Sequence, residues 1–179
     1  RIAHMDANGI NAQVVSLCSP GVQALDADEA TAIARESNDM LFDATQRHPG
    51  RLYGLATVAA HAPADAIKEI ERGARKLSMR GLLINSHTNG AYLDEPRFLP
   101  VLEAAQAFDM PLYLHPREPS PSMATPYLDY GLYFAGWGFA AETGLHTMRL
   151  IMSGLFEKLP RLKIVLGHLG EGIPFWLDR

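Results

Sequence analysis

The chain has 179 residues, enough to bury one full core, and its 47% hydrophobic and 20% charged content is that of an ordinary globular protein. A net charge of −4 with no basic block argues against nucleic acid or an anionic membrane surface as partner. The single cysteine, Cys18, excludes an internal disulfide and suits a reducing, cytoplasmic setting, and no apolar stretch reaches the ~18 residues that span a bilayer.

A helical pattern opens the chain over about residues 1–9, and a strand-like run follows at 12–18, AQVVSLC. Residues 26–47 carry Ala30, Ile33, Ala34, Leu41 and Ala44 at helical spacing. A second run, LYGLATV at 52–58, precedes a helix over 63–78 whose apolar stripe is Ala66, Ile67, Ile70, Ala74 and Leu77. The run GLLIN at 81–85 leads to a helix over 95–108, with Pro96 and Pro100 in its first turns, where proline is tolerated. PLYL at 111–114 is the fourth strand and KIVLG at 163–167 the fifth. Between these last two, 132–158 is apolar almost all round, which predicts burial on more than one side and makes a homo-oligomer contact plausible. The last residues, about 171–179, read as the start of another helix.

The strands are nearly continuous in Val, Ile, Leu and Tyr, which predicts a parallel sheet covered on both faces. Repeated βα units give either an open doubly wound sheet or a (β/α)8 barrel, and periodicity alone does not separate the two. The chain starts and stops inside helical patterns with about five strands, against ~250 residues for a whole barrel. The expectation is one domain, 1–179, that is an internal piece of a larger α/β enzyme.

His61, His87, His115 and His168 each follow a strand directly or within a few residues. The carboxyl ends of parallel strands are where ligands bind. Any one of these histidines could simply bond a loop carbonyl, but four in one topological position weaken that account. Imidazole suits Zn, Mn or Fe, and its second nitrogen needs a partner that fixes the tautomer. Glu171, three residues after His168, fits that part; it also fits a charge at a helix start. His146 lies four residues after Glu142, the wrong order for an HExxH zinc helix, and reads as a buried structural pair. His48 and His4 read as a helix-end cation and a surface residue, Cys18 as a small buried apolar group. No GxGxxG, GxxxxGK[ST] or GxSxG is present, so nucleotide binding and a serine elbow are unsupported.

The segments YLHPREP, MDANGINAQVVSL and GFAAETGLHTMRLIMSGLFEKLPRLKIVLGHLGEGIPFWLDR resemble the amidohydrolase-related decarboxylases, which include γ-resorcylate, 5-carboxyvanillate and aminocarboxymuconate-semialdehyde decarboxylases. INSHTNGAYLDEP is most similar to the 5-carboxyvanillate branch. The resemblance implies a partial (β/α)8 TIM-type barrel and one divalent metal ion, Zn or Mn. It implies a small aromatic carboxylic acid as substrate, lost as CO2 without oxidation. By the same resemblance His115 is a metal ligand, and His168, supported by Glu171, is catalytic beside the metal. Asn85, His87, Thr88 and Arg117, after the third and fourth strands, become candidate contacts for the substrate, Arg117 through its planar fork. The family's Glu/His-x-His ligands would precede Arg1 and its acidic ligand would follow Arg179, so the piece alone is expected to hold metal poorly. Two other readings stay open: a hydrolase of a lactone or amide on the same barrel, and a noncatalytic binding or scaffold domain.

Overall fold

The structure, a computed structural model, describes residues 1–176 and 178. It opens with helix α1 (Ile2–Ala7) and strand β1 (Gln13–Val15). Helix α2 (Ala27–Arg47) starts where the Asp26 carboxylate accepts the Glu29 amide at 2.9 Å, with Asp28 and Glu29 placing negative charge on the first turn. The run at 52–58 is one extended segment that changes partner midway. Its first half, β2 (Leu52–Gly54), pairs with β1, and its second, β3 (Ala56–Thr57), pairs with β4 (Leu82–Asn85). Successive amides of an extended chain point to opposite sides, so Leu55 donates to the Val15 carbonyl and Ala56 to that of Gly81, both at 2.9 Å. Helix α3 (Pro63–Arg75) leads into β4, and α4 (Leu99–Ala107) joins β4 to β5 (Leu112–His115). Helices α5 (Gly138–Met152) and α6 (Leu155–Lys158) precede β6 (Ile164–Leu166).

Among the described residues every pairing between strands is parallel, and neighbours follow chain order through β3, β4, β5 and β6. A doubly wound sheet reverses its strand order at a switch point; this wall does not, so it is part of a (β/α)8 barrel. Alternate residues divide its faces. Ala56, Leu82, Ile84, Leu112 and Leu114 share one core with Ile70 of α3 and Val101 and Leu102 of α4. The other parity, Val14, Leu55, Leu83, Tyr113 and Val165, lines a concave cavity of about 450 Å³. Helices therefore cover the outer face alone, and Val14 and Val165 remain exposed on the inner one. The apolar runs that predicted two covered faces reflect the barrel interior, whose filling is also apolar.

Three further expectations change. Cys18, expected to be a small buried apolar group, is exposed. The stretch 132–158 is not uniformly buried: α5 turns Glu142, Thr143, His146 and Thr147 inward and leaves Leu145, Met148, Ile151 and Met152 exposed. Nor does an α-helix start in the described part of 171–179, where a short 3-10 helix at Ile173–Phe175 stands instead. Five consecutive residues before it, His168 to Gly172, have φ between 42° and 85°. Left-handed backbone cannot propagate a right-handed helix, and the two glycines make the run tolerable. Residues 177 and 179 lie outside the described residues. No helix among the described residues is long and apolar enough to cross a membrane.

The inward stripe of α2 is Ala30, Ala34 and then a polar residue, Asn38. Asn38 Oδ1 accepts the Thr57 amide at 2.9 Å, and its Nδ2 donates to the Thr57 carbonyl at 3.0 Å and to Glu69 Oε1 at 2.7 Å. It thus completes the short strand β3 and ties α2 to α3. Asn38→Ala takes these partners from the buried Thr57 amide and carbonyl, while Glu69 keeps Arg72, and a loss of about 2–4 kcal/mol in unfolding free energy is expected by denaturant titration.

Candidate active site

Strands β5 and β6 run side by side with Leu114 opposite Leu166, and the Gly167 amide extends the ladder to the Leu114 carbonyl at 3.0 Å. His115 ends one strand and His168 follows the other, so parallel pairing alone puts both at the same mouth. Gly167 brings the two exits together: a Cβ there would lie 2.6 Å from Pro116 Cδ. The two imidazoles meet nearly edge to face, with ring centroids 5.7 Å apart and planes at 76°.

The His115 Nδ1 lies 2.6 Å from the Pro116 carbonyl, which fixes the proton on that nitrogen and leaves the Nε2 lone pair free. Burial lowers the pKa of His115, the carbonyl contact opposes this, and the neighbouring His168 lowers it further. A neutral imidazole with a free Nε2 has the donor chemistry of a metal ligand. Among the described residues, no three His, Cys, Asp or Glu side chains converge as a metal-binding group. The donors within this chain therefore fit one ligand position and do not make a complete site.

His168 is half exposed, and its Nδ1 is 3.3 Å from Oε1 of Glu171, whose side chain is buried. That oxygen has no aligned hydrogen bond, so the contact is Coulombic rather than a directed bond. Burial raises the pKa of Glu171 and His168 offsets part of the rise. Both residues face a cavity of about 380 Å³ shared with Trp137 and Trp176.

The other expected residues sit elsewhere. Asn85 is directly opposite His115 in the β4–β5 register but fully buried, its Nδ2 3.4 Å from Gln23 Oε1. His87, Thr88 and Arg117 are buried too. His87 Nδ1 accepts the Gly90 amide at 3.1 Å, and Thr88 closes a tight turn with Ala91 through two 2.9 Å backbone bonds. Arg117 donates to the His87 carbonyl at 3.3 Å and to Glu118 at 2.6 Å. His87 and Arg117 line a third cavity, of about 230 Å³, which contains neither His115 nor His168. His61 accounts for itself structurally, its Nε2 3.1 Å from the Leu25 carbonyl.

A buried polar cluster joins the loop after β4 to α5. Its members are Ser86, Tyr92, Glu142 and His146, and the i, i+4 spacing of the last two was its one visible signal. His146 accepts the Leu93 amide on Nε2 at 2.9 Å, so its proton is on Nδ1, which meets Ser86 Oγ at 3.3 Å.

The amidohydrolase family model matches residues 2–178. The chain belongs to the amidohydrolase family. Among amidohydrolases of known activity, γ-resorcylate decarboxylase from Polaromonas sp. (strain JS666) is 40% identical over 188 residues, covering 100% of this chain and 57% of the relative. The crystal structure of 5-carboxyvanillate decarboxylase from Sphingomonas paucimobilis is 50% identical with a TM-score of 0.97, over 100% of this chain and 53% of that one. The enzyme of that name from Novosphingobium aromaticivorans, solved with manganese and 4-hydroxy-3-methoxy-5-nitrobenzoic acid, has the same identity and TM-score and is 51% covered. This amidohydrolase chain thus spans about half the length of the relatives it matches.

The buried histidines make stability depend on pH. Burial, with Arg117 nearby, pushes His87 down to about 4, and burial pushes His146 down to about 3, both from 6.5. The unfolded chain then takes up protons first as pH falls. Their contribution is complete above pH 6.5 and is lost between 6.5 and about 4 for His87 and between 6.5 and about 3 for His146. Each imidazole can add a slope of up to about 1.4 kcal/mol per pH unit in that window. Denaturant titrations from pH 7 to 4 are expected to show a shallower decline for His87→Gln than for the wild type.

Proposed function

We propose that this chain forms one side of the active site of a metal-dependent decarboxylase acting on a hydroxybenzoate-type aromatic acid. The observation that carries the reading is the meeting of His115 and His168 at one mouth, 5.7 Å between ring centroids, with Glu171 behind. The relatives named for γ-resorcylate and 5-carboxyvanillate decarboxylation support the substrate class. Residues 1–179 are proposed to be a single domain of the barrel, and Cys18, a free thiol, suits a reducing cytoplasm.

When bound beside His115, a divalent ion, manganese or zinc, would supply Lewis acidity toward the oxygens of the substrate. His115 offers it the Nε2 lone pair, kept available by burial and by the Pro116 carbonyl on the other nitrogen. Loss of CO2 from an aromatic ring requires a proton on the carbon that bears the carboxylate, and with it a change in charge over the ring. His168 orients the substrate and stabilises that charge, with Glu171 holding it by Coulombic attraction. Asn85, His87, Thr88 and Arg117 are proposed to contribute to substrate binding indirectly, Asn85 from beside His115 in the sheet and His87 and Arg117 from their separate cavity. Their burial and internal bonds suit shaping the mouth more than direct contact with the ring.

In the full-length protein, His115→Ala is expected to lose bound metal and CO2 release together. His168→Ala is expected to keep the metal and lose at least 100-fold in turnover, about the scale of one well-placed electrostatic group. Metal analysis and CO2 release from a panel of hydroxybenzoates check both. A protein that releases no CO2 from any of them but hydrolyses lactones or amides in a metal-dependent way would replace the decarboxylase reading.

A further inference from the structure

His115 is held by more than its own strand. We propose that Glu142, buried on α5, is a positioning residue that sets the geometry of His115 through Ser86, an inference that rests on His115 being the metal ligand. Three donors converge on the Glu142 carboxylate. The Tyr92 hydroxyl donates to Oε2 at 3.1 Å and the Ser120 amide to the same oxygen at 3.4 Å. The Ser86 hydroxyl donates to Oε1 at 3.4 Å. Ser86 and Tyr92 belong to the loop after β4, and Ser120 to the loop that follows His115, the last residue of β5. One carboxylate therefore ties together the two loops that flank the exit of His115 from the sheet.

Ser86 is the link in this chain. Its amide donates to the carbonyl of His115 itself at 2.9 Å, and its hydroxyl is shared between Glu142 and His146. Its φ of 36° is in the left-handed region, which a residue with a Cβ keeps only when its surroundings over-determine it. The surroundings do so here: Ser86 is bonded on its backbone side to His115 and on its side-chain side to α5. The donors can be followed in one direction. His146 donates its Nδ1–H to Ser86 Oγ, and Ser86 donates its own hydroxyl to Glu142, so no two donors face each other. Glu142, Ser86 and His146 are all withdrawn from solvent. Burial raises the pKa of Glu142, against the Tyr92, Ser120 and Ser86 contacts that favour its charged form. The carboxylate thus depends on these groups as much as they depend on it.

A merely structural cluster would stabilise the fold without tuning the ligand, and the two roles separate by experiment. In the full-length enzyme, Mn affinity is measured by chelator competition, alongside the Tm of the metal-free protein. Glu142→Gln and Ser86→Ala are expected to weaken Mn binding by about 10-fold or more, the scale on which groups behind a ligand act. Tyr92→Phe, which leaves the Ser86 link in place, should lose less. Asn38→Ala, in an equally buried network against β3, should lower Tm and leave Mn affinity unchanged. Should Glu142→Gln fail to fold, Ser86→Ala decides, because it removes one oxygen and keeps the amide to His115. Wild-type Mn affinity in Ser86→Ala and Glu142→Gln, with only a fall in Tm like that of Asn38→Ala, overturns the inference and leaves the ligand assignment standing. Retained Mn in His115→Ala overturns both.

Discussion

The pairing of β5 with β6 is the constraint on which the site depends. Parallel strands leave a sheet at the same end, so residues that follow them emerge side by side whatever their separation in sequence. The register sets Leu114 opposite Leu166, and one further ladder bond from Gly167 carries the pairing to the edge of the mouth. A side chain at 167 would collide with the ring of Pro116, so the absence of a Cβ is what lets the two exits close on each other. His115 and His168 then have no room to be far apart. Their approach is a property of backbone pairing first and of side-chain chemistry second.

Chemistry then distinguishes the two imidazoles. His115 is partly withdrawn from water and bonded through Nδ1 to a backbone carbonyl, which favours one neutral tautomer. His168 is half exposed and faces a buried carboxylate instead. The same residue type is thereby given two environments, one suited to lone-pair donation and the other to handling charge. The run of left-handed residues from His168 to Gly172 folds Glu171 back beneath His168. Its strained members, His168, Leu169 and Glu171, sit next to the site, as stored backbone strain commonly does.

Outside the mouth, polar networks take over tasks that apolar packing cannot perform. Asn38 terminates the ladder of the two-residue strand β3, where no further strand residue could satisfy Thr57. Glu142 gathers the loops after β4 and β5 onto α5. Both lie on the inward stripes of their helices, where apolar residues are the rule, and each is tolerated because its bonds are met. The inverted polarity of α5, with Glu142 and His146 inside and Met148 and Met152 outside, follows from the same requirement.

The amino-acid sequence by itself determined the order of strands and helices, the five apolar runs, and the placement of His87, His115 and His168 after strands. These are local matters of periodicity, turn chemistry and strand length, and neighbouring residues settle them. Its LGHLGE and YLHP segments also carried the family likeness. Only the tertiary structure decided that the strands lie in chain order as a barrel wall, that 52–58 divides between two partners, and that His87 and Arg117 belong to a cavity apart from His115. It also decided that, among the described residues, no α-helix follows His168 directly and that Glu142 reaches Ser86. Such outcomes depend on which residues distant in the chain come to share a face, and on how each buried polar group finds a partner. No window of neighbouring residues contains that information.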